Sequence, residues 1–314
     1  MIAARPMDVA PEPRRWRVLA RRLGLPVSAE PAALVLERDK RVVAQPWTDV
    51  RTIMVANTKG ESGKTPLALT MAAAFSECRG GGVGFMDNDP TGSSAQRIQP
   101  PRGHSFTLDD VVDQLDWLER SGASRNDLLR FMRFQADGNF YGLVARTRAT
   151  RRTSAGDVEM SAPTITREQF RRVWTLLQAN FQPVILDAGN NDADDPWRAA
   201  LEVTDQLVVP VRWAADHCSA ATQMLLGLAE SGYEHLAESA IIVSTWPPKE
   251  LVDKQRMRSY SDQFKAWGNP ILHLPPDPHI DSRTVIDWSR LLPATRAAAI
   301  HIAAEITRSL DRRS

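Results

Sequence analysis

Thr52-Ile53-Met54-Val55, then Ala56-Asn57-Thr58-Lys59-Gly60-Glu61-Ser62-Gly63-Lys64-Thr65, then Pro66-Leu67-Ala68-Leu69-Thr70-Met71-Ala72-Ala73-Ala74-Phe75 read as strand, loop and helix. The first run is short, apolar and β-branched, and the last is of helical length. Gly63-Lys64-Thr65 is the tail of a triphosphate-binding loop. In such a loop backbone N–H groups at the helix start wrap phosphates, Lys64 supplies a cation and the Thr65 hydroxyl can ligate Mg²⁺. A second lysine, Lys59, lies five residues earlier.

Outward from this stretch the chain alternates apolar strands with amphipathic helices, the pattern of a mainly parallel sheet covered on both faces. Strands are expected at 82–86, 141–145, 183–186, 207–211, 240–243 and 270–274. Helices are expected at about 107–120 and 124–134, with Thr107 and Ser124 as caps, and after the capping box Thr166-Arg167-Glu168-Gln169. Others fall after Asp195-Pro196, with proline at the first helical position, and at about 216–230, 249–265 and 293–311. The fold class expected is α/β, a doubly wound, mainly parallel sheet flanked by helices. In such a sheet the ligand lies outside the carboxyl ends of the strands.

Residues 1–48 read differently and are expected to form an N-terminal arm, leaving 49–314 as the nucleotide-binding domain. Pro11, Pro13, Pro26, Pro31 and Pro46 break the arm into short pieces. Arg14 to Leu23 is a basic helix candidate, with Trp16, Leu19, Ala20 and Leu23 on one stripe. It is either an arm for DNA, an acidic partner or a membrane surface, or a helix docked by that stripe. Ala33–Arg38 and Arg41–Val43 are read as a hairpin across Asp39-Lys40.

The 314 residues suffice for one large α/β domain with an appendage, or for two small domains. A formal charge of +1 excludes blanket affinity for polyanions, so nucleic-acid binding would need a local patch. Cys78 and Cys218 are the only cysteines, too few for a disulfide framework and without zinc spacing. No run reaches the ~18 apolar residues of a membrane span, and the first residues lack a secretory apolar segment. A cytoplasmic protein, with nucleoid association open, is expected.

Three points fall at the carboxyl ends of three strands: the loop after Val55, Asp87 and Asp89 after Met86, and Asp187 after Leu186. A magnesium–nucleotide complex needs such a set: amides and a lysine for phosphate charge, a hydroxyl and carboxylate for the metal, and a carboxylate to orient water. For Asp87 a turn role stands beside the metal role.

Asn57 to Thr65 resembles the deviant Walker A loop of the ParA and MinD family of partitioning and positioning ATPases. Asp87-Asn88-Asp89-Pro90 resembles that family's first switch, and Asp187-Ala188-Gly189 its Walker B and second switch. Leu207–Val211 is similar to the strand that follows, and Leu274-Pro275-Pro276-Asp277 to a segment near the adenine. The resemblance covers about residues 50 to 310. It implies ATP and Mg²⁺ as cofactors, with Lys59, Gly60, Glu61, Ser62, Gly63, Lys64, Thr65, Pro66, Pro275, Pro276 and Asp277 around the nucleotide. It further implies that Lys59 reaches the partner's ATP across a dimer, that Lys64 binds the β and γ phosphates and that Asp89 orients water. Thr65, Asp87 and Asp187 would form the metal shell. Hydrolysis would be weak and partner-stimulated.

This chain departs from the pattern at three places. Glu61 replaces a glycine, in a run that also resembles the loop of G-protein α subunits. Thr91 stands where glutamine is usual. Gly189-Asn190-Asn191 replaces a proline-containing switch, as in actinobacterial MinD-like proteins, some linked to specialised secretion. The resemblance also implies an ATP-dependent homodimer, nonspecific DNA and a stimulating ParB-like or other adaptor protein. Arg146, Arg148, Arg151 and Arg152 form a basic loop, and Arg308, Arg312 and Arg313 a basic end. Either fits phosphates, and either fits a solvated run. The last helix lacks Trp and Phe and suits packing on the sheet better than membrane. The leading expectation is a switch ATPase for DNA partition or cargo positioning; the alternative is a nucleotide-dependent adaptor of a secretion or conjugation apparatus. A small-molecule kinase is disfavoured because no acceptor site or lid is recognisable.

Overall fold

A computed structural model of the chain describes residues 31–89, 94–100, 106–120, 123–145, 149–152, 158–161, 165–245 and 254–313. The chain divides into two units between Arg38 and Asp39, and residues 31–38 are what is described of the first. The basic helix candidate at Arg14–Leu23 lies outside the described residues.

The larger unit is built on an eight-stranded sheet. In chain order its strands are β1 (Thr52–Val55), β2 (Gly84–Asn88), β3 (Arg133–Gln135), β4 (Phe140–Leu143), β7 (Val184–Ala188), β8 (Gln206–Val211), β9 (Ile241–Thr245) and β10 (Ile271–Leu274). β5 (Ala149–Arg152) and β6 (Val158–Ser161) form a separate antiparallel ribbon. The sheet order is β10-β9-β8-β1-β7-β2-β4-β3, with every pairing parallel except β3 with β4. A parallel strand covered on both faces needs apolar side chains at every position, not at alternate ones. β1, β7 and β8 are each buried along their whole length and apolar except at Thr52, Asp187 and Gln206.

The register fixes the site. Val55 pairs with Asp187 and Asp87 pairs with Asp187, so β1, β7 and β2 end at one level. The helix Lys64–Arg79 follows β1 and is buried from Leu67 to Ser76. Its run Ala72-Ala73-Ala74 lets it lie close between the sheet and the last helix, Pro293–Asp311, whose Ala299, Ile302, Ala303 and Ile306 are fully buried. The apolar stripe of that last helix is therefore spent inside the domain. No helix among the described residues is long and apolar enough to cross a membrane.

Four readings of the sequence differ from the structure. The stretch expected as a hairpin is one helix, Ala32–Val43. Asp39, taken as a turn residue, is only 1% exposed, because its carboxylate binds His301 Nδ1 at 2.7 Å and Arg308 Nη2 at 2.5 Å. The expected helix 124–134 stops at Leu129, and Arg133–Gln135 becomes an edge strand. Its polar residues point inward: Arg133 Nη1 donates to Ala95 O at 2.8 Å and Gln135 Nε2 to Ile286 O at 3.0 Å, while Phe134 faces out against Tyr141. The helix expected over 107–120 breaks at Gln114 into Leu108–Asp113 and Leu115–Leu118. In the helix Asp195–Glu202, Pro196 stands second, after Asp195.

Hydrogen bonds from His301 and Arg308 outweigh the burial that raises it and hold the Asp39 carboxyl below its usual range. The bond to Asp39 raises the His301 imidazole. Asp39 thus contributes stability above about pH 4, lost as pH falls through its lowered pKa. His301 contributes below about pH 6.5, and that part is lost as pH rises through its raised pKa. Urea unfolding of wild type and His301→Asn should therefore differ most near pH 5.5 and converge by pH 9. Asp39→Ala, which removes the buried partner shared by His301 and Arg308 and leaves Arg308 with Glu305 alone, should cost about 1–3 kcal/mol at pH 7.

Candidate functional site

The loop after β1 is held from three sides. Asn57, fully buried, donates through Nδ2 to Pro210 O at 2.8 Å on β8 and accepts from Lys59 N at 2.9 Å. Thr245, the last residue of β9, donates from Oγ1 to Ser62 O at 2.7 Å. Gly63 has φ +94°, and a Cβ there would lie 3.1 Å from Thr245 Oγ1 and 3.3 Å from its carbon atoms. Only glycine meets both conditions. Glu61 also has a positive φ, 60°, where the family pattern carries glycine; its side chain points outward, 3.6 Å from Arg283 Nη2. Gly63 offers no side-chain cap, so no side chain of the cap residue competes for the first-turn amides of the helix.

Lys64 and Thr65 are buried at the start of that helix, 7% and 9% exposed. The Lys64 ammonium donates to Lys59 O at 3.2 Å and to Asn190 Oδ1. Burial lowers its pKa, while Asp187 and Asp89 raise it. Asp187 is 1% exposed. Burial and the neighbouring Asp87 push its carboxyl well above the usual range, and the Thr65 hydroxyl opposes them. Neither Asp187 oxygen completes a hydrogen bond of ordinary geometry.

Asp87 is different. It accepts from Asp89 N at 2.9 Å, from Ser94 N at 3.2 Å and from the Ser94 hydroxyl. Burial nonetheless raises its pKa to about 6. Its oxygens are engaged by the segment after β2, whereas Asp187, Thr65 and the cavity-lining Asp89 bring further oxygens to the loop. Among the described residues no three carboxylate, histidine or cysteine side chains enclose a cation site. Magnesium takes one or two carboxylates together with phosphate oxygens. The donors present thus fit a magnesium ion that arrives with a nucleotide.

A cavity of about 310 Å³ opens beside these groups, and it brings together Glu61, Gly63, Lys64, Thr65, Pro66, Asp89, Pro275, Pro276 and Asp277 from the sequence reading. Lys59, Gly60, Ser62, Asp87 and Asp187 lie behind or beside that lining. The Asp277 carboxylate is occupied, accepting from His279 N at 2.9 Å and Leu292 N at 2.8 Å, so it shapes the wall instead of offering an acceptor. Lys59 Nζ lies 3.0 Å from Asp216 Oδ2 of the same chain, and that bond lowers the Asp216 pKa. Pro90 and Thr91 lie outside the described residues.

The basic candidates fare less uniformly. Arg308 is bonded to Asp39 and Glu305, and Arg313 to Gln206 Oε1 at 2.6 Å and Ser239 Oγ at 2.8 Å, so both guanidiniums serve the fold. Arg312 is exposed. Arg151 and Arg152 belong to β5, not to a loop, and Arg146 and Arg148 lie outside the described residues. Sequence reasoning missed Asn57, Asn190, Asp216, Thr245, Arg97, Arg212 and Arg283, the last three being pocket-lining arginines. Asn57 and Thr245 carried a signal, as polar residues at the ends of buried strands.

Strand order, loop and buried lysine together define a phosphate-loop nucleotide-binding protein. The model for the CobQ/CobB/MinD/ParA nucleotide binding domain matches residues 53–283, and the chain belongs to that family. It is similar in fold to a ParA family ATPase from Chlorobium tepidum (15% identity, TM-score 0.57, 83% of this chain and 96% of that one). The cell division ATPase MinD of Pyrococcus furiosus aligns at 15% identity and TM-score 0.57, over 84% and 99% of the two chains. Cobyrinic acid a,c-diamide synthase from Mycobacterium smegmatis aligns at 18% and 0.51, over 81% and 92%. In sequence the chain is 23% identical over 264 residues to the ESX-1 secretion-associated protein EspI of Mycobacterium tuberculosis. That match takes in 83% of this chain and spans 37% of the relative's length.

Gly63→Ala should destabilise the chain by about 1–3 kcal/mol, since it forces a side chain into left-handed backbone and against Thr245. Thr245→Ala removes Oγ1 and Cγ2 from that contact, together with the hydrogen bond to Ser62 O, and leaves the left-handed strain in place. In a double-mutant cycle read by urea unfolding, the pair should therefore be less damaging than the sum of the singles. Additivity would show that Thr245 does not limit the loop.

Proposed function

We propose that the chain is a magnesium- and ATP-dependent switch that dimerises on binding ATP and hydrolyses it slowly. The observation that supports this best is the buried pair of Lys64 and Asp187 at the joined ends of β1 and β7, with Lys59 on the same loop. Loop amides and Lys64 would bind the β and γ phosphates, and Asp89 would orient water. Magnesium, held by Thr65 and Asp187, supplies charge neutralisation on those phosphates. Lys59, delivered by the second protomer, would add a cation to the same charge. Pro275 and Pro276 would flank the base.

For the cargo, a secretion-associated adaptor is the reading we favour over DNA partition. The secretion-associated relative supports it, as does the use of Arg308 and Arg313 inside the fold. A stimulating adaptor protein belongs to either reading. The segment before residue 39 is proposed as a separate arm.

With a non-hydrolysable ATP analogue and Mg²⁺, light scattering should show a dimer for wild type and Asp89→Ala, a monomer for Lys64→Ala, and a weakened dimer for Lys59→Ala. Asp216→Ala, which frees Lys59 from its own chain, should dimerise at lower analogue concentration. Lys59→Ala with unaltered dimerisation and turnover would refute the trans-lysine reading. Tight ATP-dependent binding to nonspecific DNA would return the weight to partition, whereas recovery of secretion components in a pull-down would support the adaptor.

A further inference from the structure

We propose that Asn190 is a positioning residue of the phosphate site: its side-chain carbonyl occupies the Lys64 ammonium until a triphosphate displaces it and releases the segment behind it. The inference rests on the reading of this site as one for ATP. Lys64 has three N–H donors, and two are directed at Lys59 O and Asn190 Oδ1. The first acceptor belongs to the loop itself and stays with it. The second comes from a different strand end, on an exposed residue of the cavity wall, and it is the one a phosphate oxygen can replace. Asn190 Nδ2 is also the atom nearest to where a Cβ on Gly60 would stand, at 3.9 Å, so the side chain lies across the mouth of the loop.

The chemistry of the acceptor suits displacement. A neutral amide oxygen binds an ammonium more weakly than an anionic phosphate oxygen does. An aspartate here would bind too tightly, and an alanine would leave the ammonium without this partner. Behind Asn190 the chain is a closed turn: Asn191 Nδ2 donates to Asp194 Oδ1 at 2.5 Å, and Ala193 N to Asn191 Oδ1 at 3.2 Å. The turn leads into Pro196, whose carbonyl accepts from Asn88 Nδ2 of β2 at 2.9 Å. A side chain that lets go of Lys64 therefore frees a small rigid unit that is tied to the segment bearing Asp89.

The test uses the full chain with Asn190→Ala, Asn190→Asp and Lys64→Ala. Affinities for a non-hydrolysable ATP analogue with Mg²⁺ are measured by calorimetry, and amide hydrogen exchange is followed over 189–197. Asn190→Ala should tighten binding about 3- to 10-fold, the range of one hydrogen bond lost by the competitor. Asn190→Asp should weaken it at least about tenfold, as a charged competitor does. In wild type the analogue should raise exchange at 190–194, and in Asn190→Ala exchange should be high before it is added. Unchanged affinity and exchange in Asn190→Ala, with binding still dependent on Lys64, would overturn this inference alone. So would weaker binding by Asn190→Ala, which would make Asn190 a direct ligand of the nucleotide. Absence of wild-type binding, or binding untouched by Lys64→Ala, would instead overturn the ATP reading.

Discussion

An ammonium ion kept almost out of water at the end of a buried strand is the constraint on which the rest of this structure depends. Taking a charge into the interior costs several kcal/mol unless acceptors and counter-charges surround it. Lys64 is 7% exposed, and the requirement shows in its surroundings: Lys59 O and Asn190 Oδ1 as acceptors, Asp187 and Asp89 as counter-charges. Those groups come from three strand ends, and only a parallel order β2-β7-β1 brings the three to one level. The buried, mainly apolar strands keep the floor dry, and that dryness in turn raises Asp187 and Asp87. Charge placement and strand order are here one problem with one solution.

The two aspartates illustrate how a shared environment yields different tasks. Both are buried in the same register, yet Asp87 is satisfied by two amides and a hydroxyl, whereas Asp187 faces the Thr65 hydroxyl without a hydrogen bond of ordinary geometry. A buried carboxylate is costly on its own, and the Lys64 ammonium offsets part of that cost for Asp187, to which a cation arriving with phosphate would add. Asp87 instead converts the end of β2 into a fixed turn that carries Asp89 to the cavity.

The sheet, its central strands and the loop were legible because each follows a one-dimensional rule: continuous apolar runs for strands buried on both faces, and glycine, lysine and threonine at fixed spacing. What stayed hidden breaks such rules. β3 turns Arg133 and Gln135 inward and Phe134 outward, so its pattern is inverted and reads as the tail of a helix. Asp39 looked like a turn residue because its partners, His301 and Arg308, are more than 260 positions away in sequence. Arg308 and Arg313 looked like a basic end for the same reason. Within the site, Lys64, Thr65 and Asp187 were readable from motif and strand end, whereas Asn190 and Asp216 are defined by what they touch across the fold.

The backbone at Lys59 is fixed on both sides, its N–H by Asn57 and its carbonyl by Lys64, so the side chain is the part able to move. Its present partner, Asp216, is 58% exposed, and an ion pair so open to solvent is a weak tether. Moving the Lys59 ammonium to another anion therefore takes a change of rotamer and the loss of one screened pair, with no remodelling of the loop. The loop that holds phosphate and the side chain proposed to reach a second protomer are thus mechanically separate although they are adjacent in sequence. Asn57 makes that separation possible: bonded at once to Lys59 N and to Pro210 O, it anchors the backbone to β8, so motion of the lysine tip need not disturb the site behind it.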